Sequence, residues 1–403
     1  MTEPTTHRVL VVDDEADITA LVAYHLAKAG YRVATAAGFV FSRCTHPRSP
    51  PKNLFPKEGR KPMPFSIRRV LGVAVAATAV GAGPLAAQGR QAPQVTVGGV
   101  VYTQYVYQLK DSVDHKNSFD ITRAYVNVLG KFSDGVGTRV TADIYRNPNA
   151  TDSSLSYRLK YAFATYTPQG SPLTYKAGLI HTPWLDWEEA LWDYRMQGTM
   201  AMDRAGYLSA ADLGVGVDGK WMADKVNFQV TVVNGRFYSK PGNTEGKDAL
   251  ARISVRVLDT DDSSRVGGLR VTVYAGYGRA VRGDRNRYIA LVSYRSKQFT
   301  LAGEAAATQD SLQGTTNGHV YSAFGVYKLP DSKVAIIGRV DVTHKQSGAT
   351  DKQTRFIGGA SYQLSPNWRL LADWDYANYQ SDALNAANYA TRSQALFQTQ
   401  FTF

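Results

Sequence analysis

Hydrophobic and polar positions alternate along the last residues of the chain. Phe397, Phe401 and Phe403 lie on one face of a two-residue repeat, whereas Gln398 and Gln400 lie on the other. This is the period of a β-strand with one apolar and one polar face. A strand exposed at the edge of a soluble sheet favours unwanted pairing, whereas a closed barrel pairs its last strand with its first. The pattern therefore predicts a strand that closes a barrel.

The same period recurs from residue 95 to the end of the chain. Runs of roughly ten residues are separated by clusters of Gly, Asn, Asp, Ser and Pro, as expected for strands and turns. The sixteen predicted strands are Val95–Gln108, Phe119–Phe132, Thr138–Tyr145, Tyr157–Thr167, Leu173–Thr182, Leu213–Met222, Lys225–Asn234, Ala249–Leu258, Leu269–Arg279, Arg287–Ser296, Gln298–Thr308, His319–Leu329, Lys333–His344, Thr354–Leu364, Trp368–Tyr379 and Arg392–Phe403. An even number places both ends of a barrel on the same side. The sequence predicts an all-β fold, a 16-stranded antiparallel transmembrane β-barrel over residues 88–403.

The connections alternate between short and long. The short ones suit periplasmic turns, and the longer polar ones suit external loops. Examples of short links are Ser133–Gly135, Pro168–Ser171, Ala223–Asp224, Ser296–Lys297, Pro330–Ser332 and Ser365–Asn367, and long ones are Lys110–Ser118, Asn147–Ser156, Gly235–Asp248 and Gln380–Thr391.

Within a strand, charged residues share one face and apolar residues share the other. Arg252 and Arg256 alternate with Ile253 and Val255, for example. A charge that faces hydrocarbon costs about 2–4 kcal/mol near the membrane midplane, so the charged face of a membrane barrel must line water. A soluble β-sandwich with its polar face outside gives the same alternation and remains an alternative.

The predicted water-lined face is rich in arginine. The predicted pore-lining residues are Arg123, Arg139, Arg158, Lys160, Arg252, Arg256, Arg270, Arg287, Arg339, Arg355 and Arg369, with Arg295 on the same face and with Asp143, Asp341, Asp373 and Asp375 as acids. An excess of guanidinium groups in a narrow tube attracts anions and repels cations. Alternatively, these arginines pair with the acids of the lumen and brace the wall.

The longest link, Pro183–Asp212, differs from the others in its aromatic content. It contains Trp184 and Trp187, several acids, and then Arg195 and Arg204, and a short helix is predicted between residues 185 and 196. We predict that it folds inward as a constriction loop, in which the two arginines are candidate gate or substrate contacts. An external loop packed on the barrel rim is the alternative.

The region before the barrel is predicted to consist of three segments, residues 1–38, 39–62 and 63–87. Residues 1–38 contain the strand-like run Val9–Glu15, a helical pattern from Ile18 to Gly30 and a second strand at Tyr31–Ala34. They resemble the opening of a response-regulator receiver domain, but the family's phosphoacceptor Asp, Thr or Ser and Lys are missing. We therefore expect a truncated, non-functional fragment. Residues 39–62 are rich in Pro and Arg and are expected to form a disordered linker.

Residues 63–87 have the composition of a secretory signal peptide. A basic region follows Met63, an apolar Ala- and Val-rich core comes next, and small residues precede Gln88. A single transmembrane helix is the alternative, although the apolar run is short for one. Met63 is a plausible true start of translation. The only Cys of the chain, Cys44, lies before this segment, so the barrel holds no disulfide.

Several phrases of the barrel region resemble the phosphate-selective porin O and P family. They are FDITRAYV at residues 119–126, GLIHTPW at 178–184, LGVGVDGK at 213–220 and VVNG at 232–235, and the likeness spans residues 95–403. The resemblance implies a sixteen-stranded, often trimeric porin that passes anions. The chain end also resembles the C-terminal assembly signal of bacterial outer-membrane barrels. It implies that Phe403 engages the barrel-assembly machinery in the outer membrane of a Gram-negative-type bacterium.

Other functional classes receive little support from the sequence. The net charge of +12 is dispersed, and no nucleic-acid motif is present. The His residues have no Ser-centred motif beside them, so we expect no enzyme activity, no metal and no cofactor. The expected partners are small anionic solutes, outer-membrane lipids and further copies of the chain in a homotrimer. A general non-selective porin, or a structural or adhesive barrel without conductance, remains the alternative.

Overall fold

The structure is a computed structural model that describes residues 8–13, 20, 23–24, 26–28, 32–37, 92–147, 154–239, 246–280, 283–311 and 315–403. The chain divides into two compact units, Met1–Gly83 and Pro84–Phe403. The predicted linker and signal peptide lie outside the described residues, so both stay predictions.

The N-terminal unit contains two short strands. Strand β1 (Arg8–Asp13) pairs in parallel with β2 (Arg32–Ala37), and the register runs from Arg8 opposite Arg32 to Asp13 opposite Ala37. Both predicted strands are confirmed. Parallel strands need a crossover connection between them, which agrees with the predicted order of strand, helix and strand. That these strands belong to a receiver-like fragment stays a prediction.

The second unit is a closed barrel of sixteen antiparallel strands. Each predicted strand overlaps an observed one, so the predicted fold class is confirmed. The strands are β3 (Gln94–Gln108), β4 (Asn117–Lys131), β5 (Val136–Arg146), β6 (Leu155–Tyr166), β7 (Leu173–His181), β8 (Ala211–Trp221), β9 (Val226–Val233), β10 (Asp248–Leu258), β11 (Gly268–Ala280), β12 (Gly283–Arg295), β13 (Phe299–Asp310), β14 (Thr316–Lys328), β15 (Val334–His344), β16 (Gln353–Ser365), β17 (Trp368–Tyr379) and β18 (Ser393–Thr402). The largest differences lie at strand ends, such as the start of β12, because cross-strand pairing extends into polar residues that lack apolar alternation.

The connections separate into two ends of the barrel because neighbouring strands are antiparallel. We call one the short-turn end; it carries the links 132–135, 167–172, 222–225, 259–267, 296–298, 329–333 and 366–367. The other, which we call the long-loop end, carries among others the links 109–116, 182–210, 345–352 and 380–392, the last of which contains a short helix, α3 (Asp382–Ala387). The predicted alternation of short and long links holds for most strand pairs, but not around β11: its link to β10 at the short-turn end is long, and its link to β12 at the long-loop end is short.

The last strand closes the barrel against the first. β18 pairs with β3 from Gln394 opposite Gln108 to Thr402 opposite Val100. Beyond this register, Phe403 and Gly99 exchange two backbone hydrogen bonds, with N···O distances of 2.8 and 3.0 Å. The sheet therefore has no free edge between its first and last strands.

Side chains alternate between the two faces of the wall. In β11, Arg270 and Thr272 are fully buried inside the barrel, whereas Val271 and Val273 are 43% and 45% exposed on its outer surface. The outer surface is thus apolar and the inner surface is polar. This is the arrangement of a membrane barrel and the reverse of a soluble sandwich. No helix in the described ranges is both long and apolar enough to span a membrane.

Candidate functional site

The link 182–210 between β7 and β8 folds into the barrel. It contains helix α1 (Leu185–Trp192), a 3-10 turn (Arg195–Gln197) and the short helix α2 (Ala201–Arg204). Trp184, Trp187 and Trp192 are at most 1% exposed. An external loop would leave these indoles in water, so the predicted inward fold is confirmed. We call this segment the inward loop.

Two of the indoles attach the inward loop to the wall. Trp184 Nε1 donates a hydrogen bond to Glu304 Oε2 of β13, with an N···O distance of 3.2 Å. The ring of Trp192 packs edge-on against Phe324 of β14, with 5.3 Å between ring centroids. Buried aromatic contacts of this kind contribute both area burial and a preferred geometry.

Wall arginines bind main-chain carbonyl groups of the inward loop. Arg252 Nε donates to the Pro183 carbonyl oxygen at 2.9 Å, and its guanidinium lies 4.0 Å from the ring centroid of Trp187. Arg339 Nη1 donates to the Thr199 carbonyl oxygen at 3.2 Å. Both arginines were predicted to line the pore. In the structure their side chains are buried against the loop: Arg339 also pairs with an acid, Asp341, whereas Arg252 binds a carbonyl and the amide of Asn227.

Two further wall arginines bind the C-terminal end of α1. Arg295 Nη1 donates to the Ala190 and Leu191 carbonyl oxygens, and Arg369 Nη1 donates to the Asp193 carbonyl oxygen at 2.7 Å. The last carbonyl groups of a helix lack partners within it and carry a partial negative charge, so cations stabilise this end.

Arg204, a candidate gate residue, is anchored to the wall. Its Nη1 donates to Asp341 Oδ2 at 3.0 Å. The same carboxylate accepts hydrogen bonds of 2.8 Å from Ser322 Oγ and from the guanidinium of Arg339. Asp341 therefore ties α2 of the inward loop to β14 and β15.

Glu188 is a buried carboxyl on α1. It is fully buried and faces Glu304, with Arg339 and Asp341 nearby. Burial raises the pKa of Glu188 well above its usual range, and the neighbouring carboxyl of Glu304 raises it further. Both effects favour the protonated form of Glu188.

A basic wall lies on strands β4, β5 and β6. Asp143 is fully buried and forms ion pairs with Arg123 at 3.3 Å and with Arg158 at 2.8 Å. Arg139 Nη2 donates to an amide oxygen, Asn127 Oδ1, at 3.0 Å. Neither Lys160 nor Arg139 forms an ion pair with a carboxylate in the described ranges. This wall therefore places four cations around one carboxylate.

Tyrosines are interleaved with these cations, a feature that the sequence analysis missed. The Arg158 guanidinium lies 3.8 Å from the ring centroid of Tyr145, and Lys160 Nζ lies 4.5 Å from that of Tyr125. A cation over an aromatic face is stabilised without an acid, so the wall keeps its positive charge. The signal was available, since Tyr125 and Tyr145 share the two-residue register of the basic positions.

Arg195 is the inward-loop cation that faces the basic wall. Together with Arg123 and Tyr102 it lines a cavity of about 290 Å³. Arg195 Nε also donates to Glu189 Oε1 at 2.8 Å within the loop. Asp203 of the loop also lies near Arg195 and near Lys160 and Arg123 of the basic wall, so the loop side of this passage carries two acids and one arginine.

The other predicted pore-lining residues are distributed around the barrel, and each contacts a carboxylate. The pairs are Arg256 with Asp259 (3.5 Å), Arg270 with Asp224 (3.7 Å), Arg287 with Asp310 (2.8 Å) and Arg355 with Asp375. They do not share one cluster with the basic wall.

Arg265 was not predicted, yet it supports the inward loop from the short-turn end. Its Nη1 lies 2.7 Å from Asp186 Oδ2, and its Nη2 donates to the Asp186 carbonyl oxygen at 2.7 Å. Burial alone would raise the pKa of Asp186, but His181 and Arg265 outweigh it and lower that pKa. The only hint in the sequence is the length of the link 259–267, which exceeds that of the other short turns.

Comparison with known proteins shows the fold. No family model and no curated protein matches this sequence. An anion-selective porin from Comamonas acidovorans matches in structure with a TM-score of 0.58 at 12% identity, covering 77% of this chain and 100% of that one. Salmonella typhi OmpF in complex with daunomycin matches with a TM-score of 0.55 at 13% identity, covering 77% and 97%. OmpT of Vibrio cholerae in its trimer form gives 0.54 at 13%, covering 77% and 100%.

These neighbours share the porin fold with this chain. The closed barrel, its apolar outer surface and this likeness identify an outer-membrane β-barrel protein. The resemblance to the phosphate-selective family stays a prediction.

Proposed function

We propose that the protein is an outer-membrane porin whose water-filled channel lets small anions diffuse past the basic wall. The observation that carries this proposal is the basic wall, in which Arg123 and Arg158 share Asp143 whereas Arg139 and Lys160 form no ion pair with a carboxylate within the described ranges. The inward loop is bound to residues of β10, β13, β16 and β17. We place the anion path along the basic wall of β4 to β6.

Not every cation of the basic wall is compensated by a carboxylate within the described ranges. A cation paired with a carboxylate contributes little net field, and most of the predicted arginines are paired in this way. Arg139 and Lys160 instead use an amide, a histidine and tyrosine rings as partners. Low-dielectric walls around a narrow aqueous path focus such a field, which raises the local anion concentration.

The class of solute follows from the geometry of the donors. Guanidinium groups present paired N–H donors that match two oxygens of one phosphate or carboxylate. Arg123 and Arg158 each place their Nε near a different oxygen of Asp143, at 3.3 and 2.8 Å, so two guanidinium groups of the wall already share one carboxylate. Phosphate and small carboxylates are the solutes we propose. The anion-selective neighbour supports this class by analogy of fold.

The assembly is proposed to be a homotrimer. OmpT, a structural neighbour, is described in a trimer form. The proposed route to the membrane begins with removal of residues 63–87 and ends with recognition of the terminal Phe403 by the barrel-assembly machinery. N-terminal sequencing of the protein from outer membranes is expected to begin at Gln88.

Single-channel recording in a planar bilayer under a KCl gradient tests the function. We expect a reversal potential on the chloride side and a current that falls when phosphate or a dicarboxylate is added. A potential near zero would instead favour a general non-selective porin. Folded barrels that insert into the bilayer without passing current would favour a structural or adhesive role.

A further inference from the structure

A second cavity lies at the long-loop end, apart from the passage along the basic wall. Its volume is about 460 Å³, within the range of small-molecule sites. It is enclosed by residues 205–209 of the inward loop and by strands β9 to β14, and it shares no lining residue with the cavity around Arg195. We propose that it is a binding site for an uncharged ring compound with apolar faces and a hydroxyl-bearing edge, such as a sugar ring or its aryl glycoside.

The floor of this cavity is apolar and aromatic. Val233, Leu208 and Leu250 are 9% exposed or less, and the rings of Tyr207 and Phe237 line the same space. Such surfaces favour the apolar faces of a flat ring.

One buried donor in this cavity has no partner. The hydroxyl of Tyr274 makes no hydrogen bond within the described part of the chain, although the residue is only 3% exposed. A buried hydroxyl without a partner costs free energy, so a ligand hydroxyl that bonds to it gains in affinity. The absence of a side chain at Gly276 leaves the space beside the Tyr274 hydroxyl open, because a Cβ at this position would lie 2.8 Å from the hydroxyl oxygen.

The charges around the cavity disfavour an anion. Arg285 Nη2 donates to Asp248 Oδ1 at 2.8 Å, and Arg287 Nη2 donates to Asp310 Oδ1 at 2.8 Å. Each guanidinium is therefore neutralised in place. The full set of charged lining residues is Arg285, Arg287 and Lys345 against Asp212, Asp248, Asp310 and Asp351. The site thus selects a solute unlike the anions of the proposed pore.

The site is partly preorganised by Asp212. Its Oδ2 accepts hydrogen bonds from the backbone N–H groups of Arg236 and Phe237, at 2.9 and 3.0 Å. Phe237 has a left-handed φ of 63°, which is uncommon for a bulky residue. The carboxylate therefore holds the phenyl ring at the cavity in a conformation that the chain would rarely adopt by itself.

Isothermal titration calorimetry of the purified protein with p-nitrophenyl β-D-glucopyranoside tests the proposal. We expect saturable binding that Tyr274→Phe weakens about tenfold, as expected for the loss of one hydrogen bond. This variant should fold as well as the parent, because the hydroxyl it removes makes no hydrogen bond to the residues that the structure describes. Gly276→Val, which fills the space, should abolish binding. Tyr321→Phe, on the outer surface, is the matched control and should leave binding unchanged.

Three outcomes would overturn the proposal. The first is a correctly folded protein with no saturable heat. The second is binding that both Tyr274→Phe and Gly276→Val leave intact. The third is tighter binding of p-nitrophenyl phosphate than of the glucoside, which would make the site an anion site. Because the readout is binding, the result is independent of whether the channel conducts or prefers anions.

Discussion

Trp184 Nε1 donates a 3.2 Å hydrogen bond to Glu304 Oε2, which joins the start of the inward loop to strand β13. Glu188, one turn further along α1, is buried against the same carboxyl group. Two carboxyl groups at such a site cannot both ionise without strong repulsion. The attachment of the loop therefore depends on a proton held by Glu188 or Glu304.

This dependence predicts that the loop loosens as the pH rises. The folded protein raises the pKa of Glu188 above its ordinary 4.5, so the stabilisation is complete below that value and is lost as the pH rises through the raised one. We expect open-channel current noise to increase as the pH is raised through that pKa. Glu188→Gln should abolish that pH dependence, whereas Glu189→Gln, at a partly exposed carboxylate, should retain it. Noise that grows on acidification would contradict the assignment.

Asp341 is predicted to be the most sensitive ion-pair residue of the loop attachment. Its side chain is 5% exposed and accepts from Arg204 and Arg339. Asp341→Asn should lower the free energy of unfolding by about 3 kcal/mol, because buried guanidinium groups lose their counter-charge. Denaturant titration of the folded barrel measures this change. Asp259→Asn is the control: that carboxylate is 59% exposed, so its pairs contribute about 0–1 kcal/mol. Equal effects of the two variants would contradict the prediction.

The barrel could be predicted from the sequence because each strand is recognisable from its own local pattern of residues. The predicted strand Trp368–Tyr379 has the bounds of β17, and the closing strand is confirmed from alternation alone. A two-residue period predicts which face of the sheet each side chain lies on, and turn residues predict where the chain reverses direction. Both patterns can be recognised without knowing which strands are neighbours.

The partners of the inward side chains could not be predicted in the same way. Arg252 and Arg139 both lie on the polar face, yet Arg252 binds the Pro183 carbonyl under the loop whereas Arg139 belongs to the basic wall. Which of them meets the loop depends on the path of residues 182–210 across the lumen. That path is set by contacts such as Trp192 with Phe324, which join residues far apart in sequence.

The basic wall predicts a selectivity variant that spares the fold. Among the described residues, Arg139 and Lys160 form no ion pair with a carboxylate, so Arg139→Gln combined with Lys160→Gln breaks none, whereas removing the arginines at Asp143 would leave that acid unpaired. The double variant should shift the chloride-to-potassium permeability ratio several-fold towards potassium in reversal-potential measurements. Lys297→Gln combined with Lys333→Gln removes the same charge from exposed short turns and should leave the ratio unchanged. An unchanged ratio in the wall variant would refute the assignment of the anion path.

The closure of the barrel gives a prediction about assembly. At Gly99 a Cβ would lie 2.5 Å from the ring of Phe403 and 2.5 Å from the Tyr125 carbonyl oxygen, so this position admits only glycine while the terminal residue keeps its place. Gly99→Val should therefore displace Phe403 and lower the yield of folded barrel, measured as the heat-modifiable band on a denaturing gel after refolding. Gly303→Val is the matched control, because a Cβ there meets nothing within 4 Å. The control replaces the same residue type with the same side chain at an open position, so it should assemble normally. Equal yields from both variants would mean that the pairing of Gly99 with Phe403 does not limit closure.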